Sequence, residues 1–114
     1  MAILITGGSG YIGSHTDLSL LESGYELIII DNLSNSYLES IERLQKLVGK
    51  SVKFYIGDVR NGSLMQDVFT NHYIESVLHF AGLKSVDESV RLPVKYYDNN
   101  VVGTVSLLRK MMEI

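Results

Sequence analysis

Residues 6–13 read TGGSGYIG, and this stretch decides the fold because it joins an apolar run, Ala2 to Thr6, to a segment with helical periodicity. Two glycine patterns overlap in it: G-x-x-G-x-x-G at positions 7, 10 and 13, and G-x-G-x-x-G at positions 8, 10 and 13. In such a stretch, glycines permit a tight turn, a close approach of backbone to a ligand, and close packing of helix on strand. We therefore predict a strand, a glycine turn and a helix in succession.

Three further apolar runs follow along the chain, namely Glu26 to Ile30, Val52 to Ile56 and Val77 to Phe80. They lack polar alternation, which is typical of strands covered on both faces. Segments with helical spacing lie between them, so the element order is βαβαβαβ followed by a last helix. This alternation predicts an α/β fold, a partial Rossmann (doubly wound) parallel sheet with strand order 3-2-1-4.

Helix ends are indicated by individual residues. Gly24 and Gly49 stand where a helix would end in a left-handed residue. Asn61 and Ser63 are both candidates for the cap of the third helix, because either side chain can accept a hydrogen bond from a free backbone N–H.

The final segment, 93–113, predicts a helix with two neighbouring apolar stripes. One stripe consists of Val94, Tyr97, Val101, Val105, Leu108 and Met112, and the other of Tyr96, Gly103, Leu107 and Met111. A helix apolar over so wide an arc needs two partners, and the sheet is one of them. The second packing partner is a further helix or a second subunit, because the small residue Gly103 lets another backbone approach. Alternatively, the helix is simply well buried and needs no such partner.

The glycine turn suits a diphosphate, although glycines alone are equally compatible with a purely structural turn. A helix that begins there points free N–H groups at an anion, and its dipole adds roughly half a positive charge. The stretch lacks the G-K-[ST] ending of a nucleotide triphosphatase loop, so Mg-ATP is a poor alternative.

Asp31 indicates which kind of diphosphate ligand the turn would bind. It follows the second strand, where a carboxylate accepts hydrogen bonds from the adenosine ribose hydroxyls of a dinucleotide. A 2′-phosphate there would face like charge, at a cost of roughly 4 kcal/mol for a charge pair about 4 Å apart at an effective dielectric near 20. The sequence therefore predicts NAD, in preference to NADP.

Composition excludes several other classes of function. The 114 residues carry a net charge of −3 with scattered basic residues, so nucleic acid is not an expected partner. No apolar run is long enough for a membrane span or a signal peptide, and cysteine is absent, so we expect a cytoplasmic protein. The three histidines, His15, His72 and His79, are too widely spaced for a local metal site.

Three stretches carry a resemblance to a known family: GGSGYIGSH at 7–15, DNLSNS at 31–36 and HFAGLK at 79–84. They closely resemble the UDP-galactose (UDP-glucose) 4-epimerases of the extended short-chain dehydrogenase/reductase family, and further matches extend the resemblance over nearly the whole chain. Sugar-nucleotide dehydratases share the glycine motif and Asp31, so the segment 80–84 is the more specific match. Asp17 and Asp87 depart from the family pattern, which has a small or apolar residue at the first position and glycine at the second.

The resemblance implies which residues contact NAD. The pyrophosphate set comprises Gly7, Gly10, Tyr11, Ile12 and Gly13, with Tyr11 and Ile12 acting through their backbone. The adenosine ribose set comprises Asp31, Asn32, Leu33, Ser34, Asn35 and Ser36, while Asp58 and Val59 read the adenine. The set along the phosphates and the nicotinamide ribose comprises Phe80, Ala81, Gly82, Leu83, Lys84 and Asn99.

The resemblance also implies an isomerase of galactose metabolism, in which NAD takes hydride from C4 of a UDP-hexose and returns it to the other face. The family's base is the tyrosine of a Y-x-x-x-K pair, and none of the seven tyrosines here has a lysine four residues later. We therefore expect no catalytic residue in this chain. Residues 1–114 are expected to be an incomplete NAD-binding Rossmann domain, inactive alone, without the substrate domain that takes the UDP-hexose.

Two alternatives remain beside the epimerase. A fragment of an NAD-dependent sugar-nucleotide dehydratase would share the same motifs. A stand-alone NAD-binding module would work by associating with another chain. A homodimer through the helix 93–113 is compatible with the leading interpretation.

Overall fold

The structure is a computed structural model that describes residues 2–8, 11–32, 38–49, 52–81 and 86–113. Its strands are Ala2–Thr6 (β1), Glu26–Asp31 (β2), Lys53–Ile56 (β3) and Ile74–His79 (β4). They form a parallel sheet in the order β3-β2-β1-β4, which confirms the predicted partial Rossmann sheet and its order.

The helices are Tyr11–Glu22 (α1), Leu38–Val48 (α2), Gly62–Asn71 (α3), Val86–Arg91 (α4), Pro93–Tyr96 (α5) and Gly103–Met112 (α6), with a π-helical segment, Tyr97–Val102, between the last two. Within the ranges given above, no helix combines the length and apolar character needed to cross a bilayer.

The central strands β1 and β2 are apolar on both faces because each face has its own helical layer. Ala2 and Leu4 point into a cluster with residues of α3 and α6, whereas Ile3 and Ile5 point into a cluster with residues of α1 and α2. Side chains alternate between the faces of a strand, so two covered faces require an uninterrupted apolar run. This explains why these strands were recognisable without polar alternation.

Strand boundaries differ from the prediction at the polar ends. β4 begins at Ile74, not at Val77, because the polar residues at 75 and 76 interrupt the apolar run, although Ile74 and Ser76 pair with β1. β3 begins one residue later than predicted, since the Val52 N–H donates to the Gln45 side chain at 3.0 Å. β2 extends to Asp31, whose backbone lies opposite Ile56 in the ladder.

The predicted helix ends are confirmed. Gly24 and Gly49 have φ of +91° and +70°, in the left-handed region. Asn61 is the cap of α3, because its side chain accepts the Leu64 N–H at 3.2 Å, while Ser63 lies inside the helix.

The prediction of a helix over 93–113 is confirmed for Pro93–Met112, where the backbone stays helical through a π-helical segment in the middle. Pro93 has no N–H to donate, and helix α5 starts anew there after Leu92 adopts a non-helical backbone. The π-helical segment holds more residues per turn than an α-helix, which breaks the α-helical spacing on which the two stripes were drawn.

The two stripes also have different surroundings. Leu107 and Gly103 are buried, and a Cβ on Gly103 would lie 3.3 Å from Val59 Cγ2 of the same chain. The neighbour admitted by Gly103 is therefore the loop after β3. The other stripe is exposed at all of its positions, which are Val94, Tyr97, Val101, Val105, Leu108 and Met112.

Replacing Asn61 by alanine should lower the free energy of unfolding by about 1 kcal/mol, because the Leu64 N–H at the first turn of α3 loses its acceptor. Ser63→Ala is the matched control, since the structure gives capping to Asn61 alone of these two residues, and its effect should stay within about 0.5 kcal/mol. Urea unfolding measures both. An equal loss of unfolding free energy in Asn61→Ala and Ser63→Ala would contradict the assignment of Asn61 as the cap.

Candidate functional site

The carboxyl ends of the strands lie along one edge of the parallel sheet and bring the predicted segments together. The glycine turn follows β1, Asp31 ends β2, Asp58 follows β3, and Phe80 and Ala81 follow β4. Ligands of open parallel α/β sheets bind outside this edge. This edge is the candidate site.

The glycine turn leaves no room for side chains at its first and last positions. Gly7 has φ of +71°, and a Cβ there would lie 2.7 Å from Ala81 N. A Cβ on Gly13 would lie 2.2 Å from the Gly7 carbonyl oxygen, so the first turn of α1 packs directly on the backbone of the turn. The predicted conformational roles of Gly7 and Gly13 are thus present, and bare main chain faces the amino end of α1.

Gly8 and Asp17 form an unusual contact beneath the turn. Gly8 is buried, and a Cβ on it would lie 2.5 Å from Ile29 Cγ2 and 3.1 Å from Asp17 Oδ2. Asp17 is fully buried in α1, and neither carboxyl oxygen has a hydrogen-bond partner in the part of the chain that the structure describes. Burial, reinforced by the negative charge of Asp31, raises the pKa of Asp17 to about 8. The carboxyl group is therefore mostly neutral at pH 7.

Asp58 is held in a network of donors that spans three elements. Its carboxylate accepts the Arg60 N–H and Nε–H at 2.9 Å each, the Arg60 NH2 at 2.7 Å, and the Asn32 amide at 3.2 Å. These hydrogen bonds, that of the Arg60 side chain above all, lower the pKa of Asp58 to about 2. Arg60 also pairs with Asp98 of the π-helical segment. The network therefore ties the ends of β2 and β3 to the segment that carries Asn99.

Thr6 joins the ends of β1 and β4. Its backbone carbonyl accepts the Phe80 N–H at 2.8 Å, and its hydroxyl accepts the Ala81 N–H at 3.3 Å and contacts His79 Nδ1. The other ring nitrogen of His79 contacts the Thr104 hydroxyl at 3.0 Å. A line of polar contacts thus runs from the glycine turn to α6.

Several predicted site residues lie outside the described part of the chain: Gly10, Leu33, Ser34, Asn35, Ser36, Gly82, Leu83 and Lys84. Of the others, Tyr11 and Ile12 begin α1, with the Ile12 side chain exposed. Asn32 is exposed beside Asp58, and Asn99 is half-buried in the π-helical segment. Val59 buries its side chain in the core, which leaves its backbone as the part that can face a ligand.

Sequence reasoning missed the polar residues that connect the strand ends, above all Thr6, Arg60 and Thr104. His79 was assigned only to a strand, and Asp17 was noticed only as a departure from the family pattern. Asp87, the other departure, lies within α4, so it does not need the positive φ that glycine favours. A polar residue at the end of a strand can be recognised from the sequence, but the residue with which it forms a hydrogen bond cannot.

A separate cleft of about 380 Å³ lies at the amino end of β4, lined by Phe69, His72, Tyr73, Ile74, Glu75, Ser76, Val77 and Met111. It is at the opposite end of that strand from the candidate site. Across the described residues, no group of three or more His, Asp or Glu side chains is placed to hold a metal ion.

Comparison with known proteins identifies similar sequences over nearly the whole chain. Residues 4–114 match the model of a family described as GDP-mannose 4,6 dehydratase. The chain is 55% identical over 111 residues to a UDP-glucose 4-epimerase of Yersinia enterocolitica and 52% identical over 111 residues to one of Bacillus subtilis (strain 168). Each match covers 97% of this chain and 33% of the relative, so the chain spans about a third of the length of these relatives.

Solved structures show the same backbone arrangement. A UDP-glucose 4-epimerase of Bifidobacterium longum, in complex with NAD+ and UDP, superimposes with a TM-score of 0.97 at 49% identity, over 99% of this chain and 34% of that one. The epimerase of Stenotrophomonas maltophila, with bound NAD and formylated UDP-arabinopyranose, gives 0.95 at 41% identity, over 98% of this chain and 33% of that one.

The buried carboxyl group of Asp17 should make stability fall as pH rises. Its pKa is higher in the folded chain, about 8, than its ordinary 3.8, so the folded state holds a proton that the unfolded state has lost between these values. Relative to Asp17→Asn, the unmodified chain should lose up to about 1.4 kcal/mol of stability per pH unit between about pH 4 and about pH 8, with no further loss above. Urea unfolding at several pH values measures this difference.

Asp67→Asn is the matched control, because Asp67 is exposed on α3. Asp67→Asn should change the free energy of unfolding by no more than about 0.5 kcal/mol, as is usual for an exposed surface position. If the difference for Asp17→Asn were constant between about pH 4 and about pH 8, the raised pKa of Asp17 would be refuted.

Proposed function

This chain belongs to the family described as GDP-mannose 4,6 dehydratase, and from that membership we propose that it is the NAD-binding portion of a UDP-glucose 4-epimerase. The observation that carries the proposal is the bare main chain of the glycine turn, with Asp31 buried at the end of the neighbouring strand. The epimerase relatives at 50–55% identity favour this enzyme class within the family.

The turn fits the diphosphate of NAD. Side chains are excluded at Gly7 and Gly13, so a ligand can approach the backbone, and the free N–H groups of the first turn of α1 point toward the same side. Helix N–H groups and the helix dipole stabilise a diphosphate without a lysine. In this proposal Gly7, Gly10, Tyr11, Ile12 and Gly13 hold the pyrophosphate.

Asp31 fits the adenosine ribose. It is 7% exposed at the carboxyl end of β2, and a carboxylate in that place accepts hydrogen bonds from ribose hydroxyls. A 2′-phosphate would meet its charge in a partly desolvated place, which favours NAD over NADP. Asn32, Leu33, Ser34, Asn35 and Ser36 complete this part of the proposed site.

The remaining contacts follow the sheet edge. Asp58 and the backbone of Val59 read the adenine, and the donors around Asp58 hold its carboxylate charged and fixed in direction. Phe80, Ala81, Gly82, Leu83, Lys84 and Asn99 line the phosphates and the nicotinamide ribose. The contact between Gly7 and Ala81 supports a single continuous site, because it brings the first and the last of these segments together.

The chemistry divides between the cofactor and the protein. Bound NAD supplies the acceptor and donor of hydride at C4 of a UDP-hexose, and the residues of this chain bind and orient it. No Y-x-x-x-K pair occurs in the sequence, so these residues include no base for the C4 hydroxyl. We therefore propose that a polypeptide restricted to residues 1–114 binds NAD but does not turn over UDP-galactose.

A sugar-nucleotide dehydratase is the second candidate, and the description of the family model favours it. The two enzymes differ in the acidic catalytic residues of the dehydratase, which the proposed epimerase would lack. The proposed epimerase would act in galactose metabolism. A location in the cytoplasm accords with the absence of cysteine. The net charge of −3 accords with a protein that does not bind nucleic acid.

The proposal includes a homodimer through the segment 93–113. Six apolar side chains of one stripe are exposed there, with Val94 79% and Met112 86% accessible. Large exposed apolar side chains concentrated on one segment are typical of an interaction site. A second copy of the chain, presenting the same stripe, covers it symmetrically.

Binding of NAD should depend on Asp31. Calorimetry should show NAD binding to the unmodified chain, with NADP much weaker, and Asp31→Asn should weaken NAD by roughly 10- to 100-fold because charge-assisted hydrogen bonds to the ribose are lost. The ratio of NAD affinity to NADP affinity should also fall in Asp31→Asn, because the negative charge that repels the 2′-phosphate is removed. Asp67→Asn is the control. No heat with NAD for folded protein, or an unchanged affinity in Asp31→Asn, would refute the proposed function.

The dimer should depend on the exposed stripe. Leu108→Glu places a charge within the stripe and should shift the protein from dimer to monomer in sedimentation measurements. Leu47→Glu is the matched control, because Leu47 is an exposed leucine on α2, outside the stripe, and it should leave the dimer intact. A monomeric unmodified chain, or a dimer insensitive to Leu108→Glu, would contradict this part of the proposal.

A further inference from the structure

His79 lies in the middle of a chain of hydrogen bonds that crosses the candidate site. On one side, its Nδ1 contacts the hydroxyl of Thr6, which also accepts the Ala81 N–H at 3.3 Å. On the other side, its Nε2 contacts the hydroxyl of Thr104 at 3.0 Å, and that hydroxyl donates to the Asn100 carbonyl at 2.7 Å. The chain therefore joins the ends of β1 and β4 to the junction of the π-helical segment with α6.

The two ends of this chain fix the direction of every hydrogen bond in it. The Asn100 carbonyl can only accept, so the single hydroxyl hydrogen of Thr104 is committed to it. Thr104 can then only accept from His79, which places a hydrogen on Nε2. In the neutral ring Nδ1 is an acceptor, so Thr6 donates to it and receives the Ala81 N–H on its oxygen.

The other protonation states of the ring leave a hydrogen bond unmade. With the hydrogen on Nδ1 alone, this N–H donates to Thr6, and the hydroxyl hydrogen of Thr6 loses its acceptor. In the doubly protonated ring, Nδ1 donates to Thr6, and the hydroxyl hydrogen of that fully buried threonine loses its acceptor. A buried polar group without a partner is costly, so the geometry selects one neutral tautomer.

We propose that His79 is a positioning residue for the cofactor site: its neutral ring, protonated at Nε2, holds the backbone at Ala81 beside the glycine turn and couples it to the helix junction at Asn100. The role in positioning NAD rests on the proposed function. The tautomer itself rests only on the hydrogen bonds described above.

The coupling has a defined pH dependence. Burial lowers the pKa of His79, and no acidic or basic group in the described ranges contributes to that shift; the residues that face its ring nitrogens, Thr6 and Thr104, do not titrate. A lowered pKa means that the folded state disfavours the proton, so the arrangement is intact above the ordinary pKa of histidine and is lost as pH falls through the lowered value. NAD affinity should therefore fall on acidification.

The tautomer can be measured without NAD. Nitrogen-15 NMR of the unmodified protein should show His79 as the neutral ring protonated at Nε2 at neutral pH, with the chain's other two histidines, His15 and His72, as internal reference signals. Thr104→Val removes the acceptor at Nε2 and should shift His79 away from this tautomer. A ring protonated at Nδ1, a cation at neutral pH, or a tautomer indifferent to Thr104→Val would overturn the proposal.

Two substitutions of His79 test separately how the two halves of the hydrogen-bond chain contribute to NAD binding. His79→Asn keeps an acceptor near Thr6 and loses the donor to Thr104, whereas His79→Gln keeps a donor toward Thr104 and loses the acceptor for Thr6. Each should weaken NAD by roughly two- to tenfold and flatten the acid limb of the pH profile. An unchanged affinity for NAD in both variants would overturn the proposal. A rise in the NAD affinity of the unmodified protein on acidification would also overturn it, because it would show that a protonated His79 attracts the diphosphate.

The two experiments keep this inference apart from the proposed function. If the unmodified protein shows the Nε2 tautomer and binds no NAD, the proposed function fails and the hydrogen-bond chain stands. If it binds NAD with the tautomer absent, the positioning role of His79 fails alone.

Discussion

The close approach of the Gly13 and Gly7 backbones is the constraint on which the rest of the structure depends. A Cβ at Gly13 would stand 2.2 Å from the Gly7 carbonyl oxygen, well inside van der Waals contact. Only without it can α1 begin directly above the turn and lie against the sheet. The same approach leaves main chain, and not side chains, at the carboxyl edge between β1 and β4, where the proposed function places a diphosphate.

Buried polar groups beneath this edge act on stability in opposite senses. Asp17 is buried without a partner and prefers its proton, so it opposes folding as pH rises. His79 is half-buried with partners on both ring nitrogens and disfavours a proton, so it opposes folding as pH falls. Asp17 therefore destabilises the folded chain at high pH and His79 at low pH, and both lie next to the turn that would hold the cofactor.

The exposed and the buried faces of the last helical region divide its roles within the proposed enzyme. Leu107 and Gly103 attach α6 to the core, and Thr104 links it to His79, whereas the stripe that includes Leu108 remains open. The region thus connects a proposed cofactor site on one side with a proposed subunit contact on the other. The relatives, about three times as long as this chain, match nearly all of it.

The sequence by itself determined the strand order, the glycine turn and the left-handed ends at Gly24 and Gly49, because each follows from local steric limits or from the apolar pattern of a covered strand. Only the tertiary structure decided the rest. The start of β4 depends on backbone pairing with β1 that polar side chains conceal, and the π-helical segment within the last helix has no distinct local pattern. The chain from Thr6 through His79 joins residues 73 positions apart, and a hydrogen bond between such distant groups is specified by the packing of the sheet, not by either residue's neighbours along the chain.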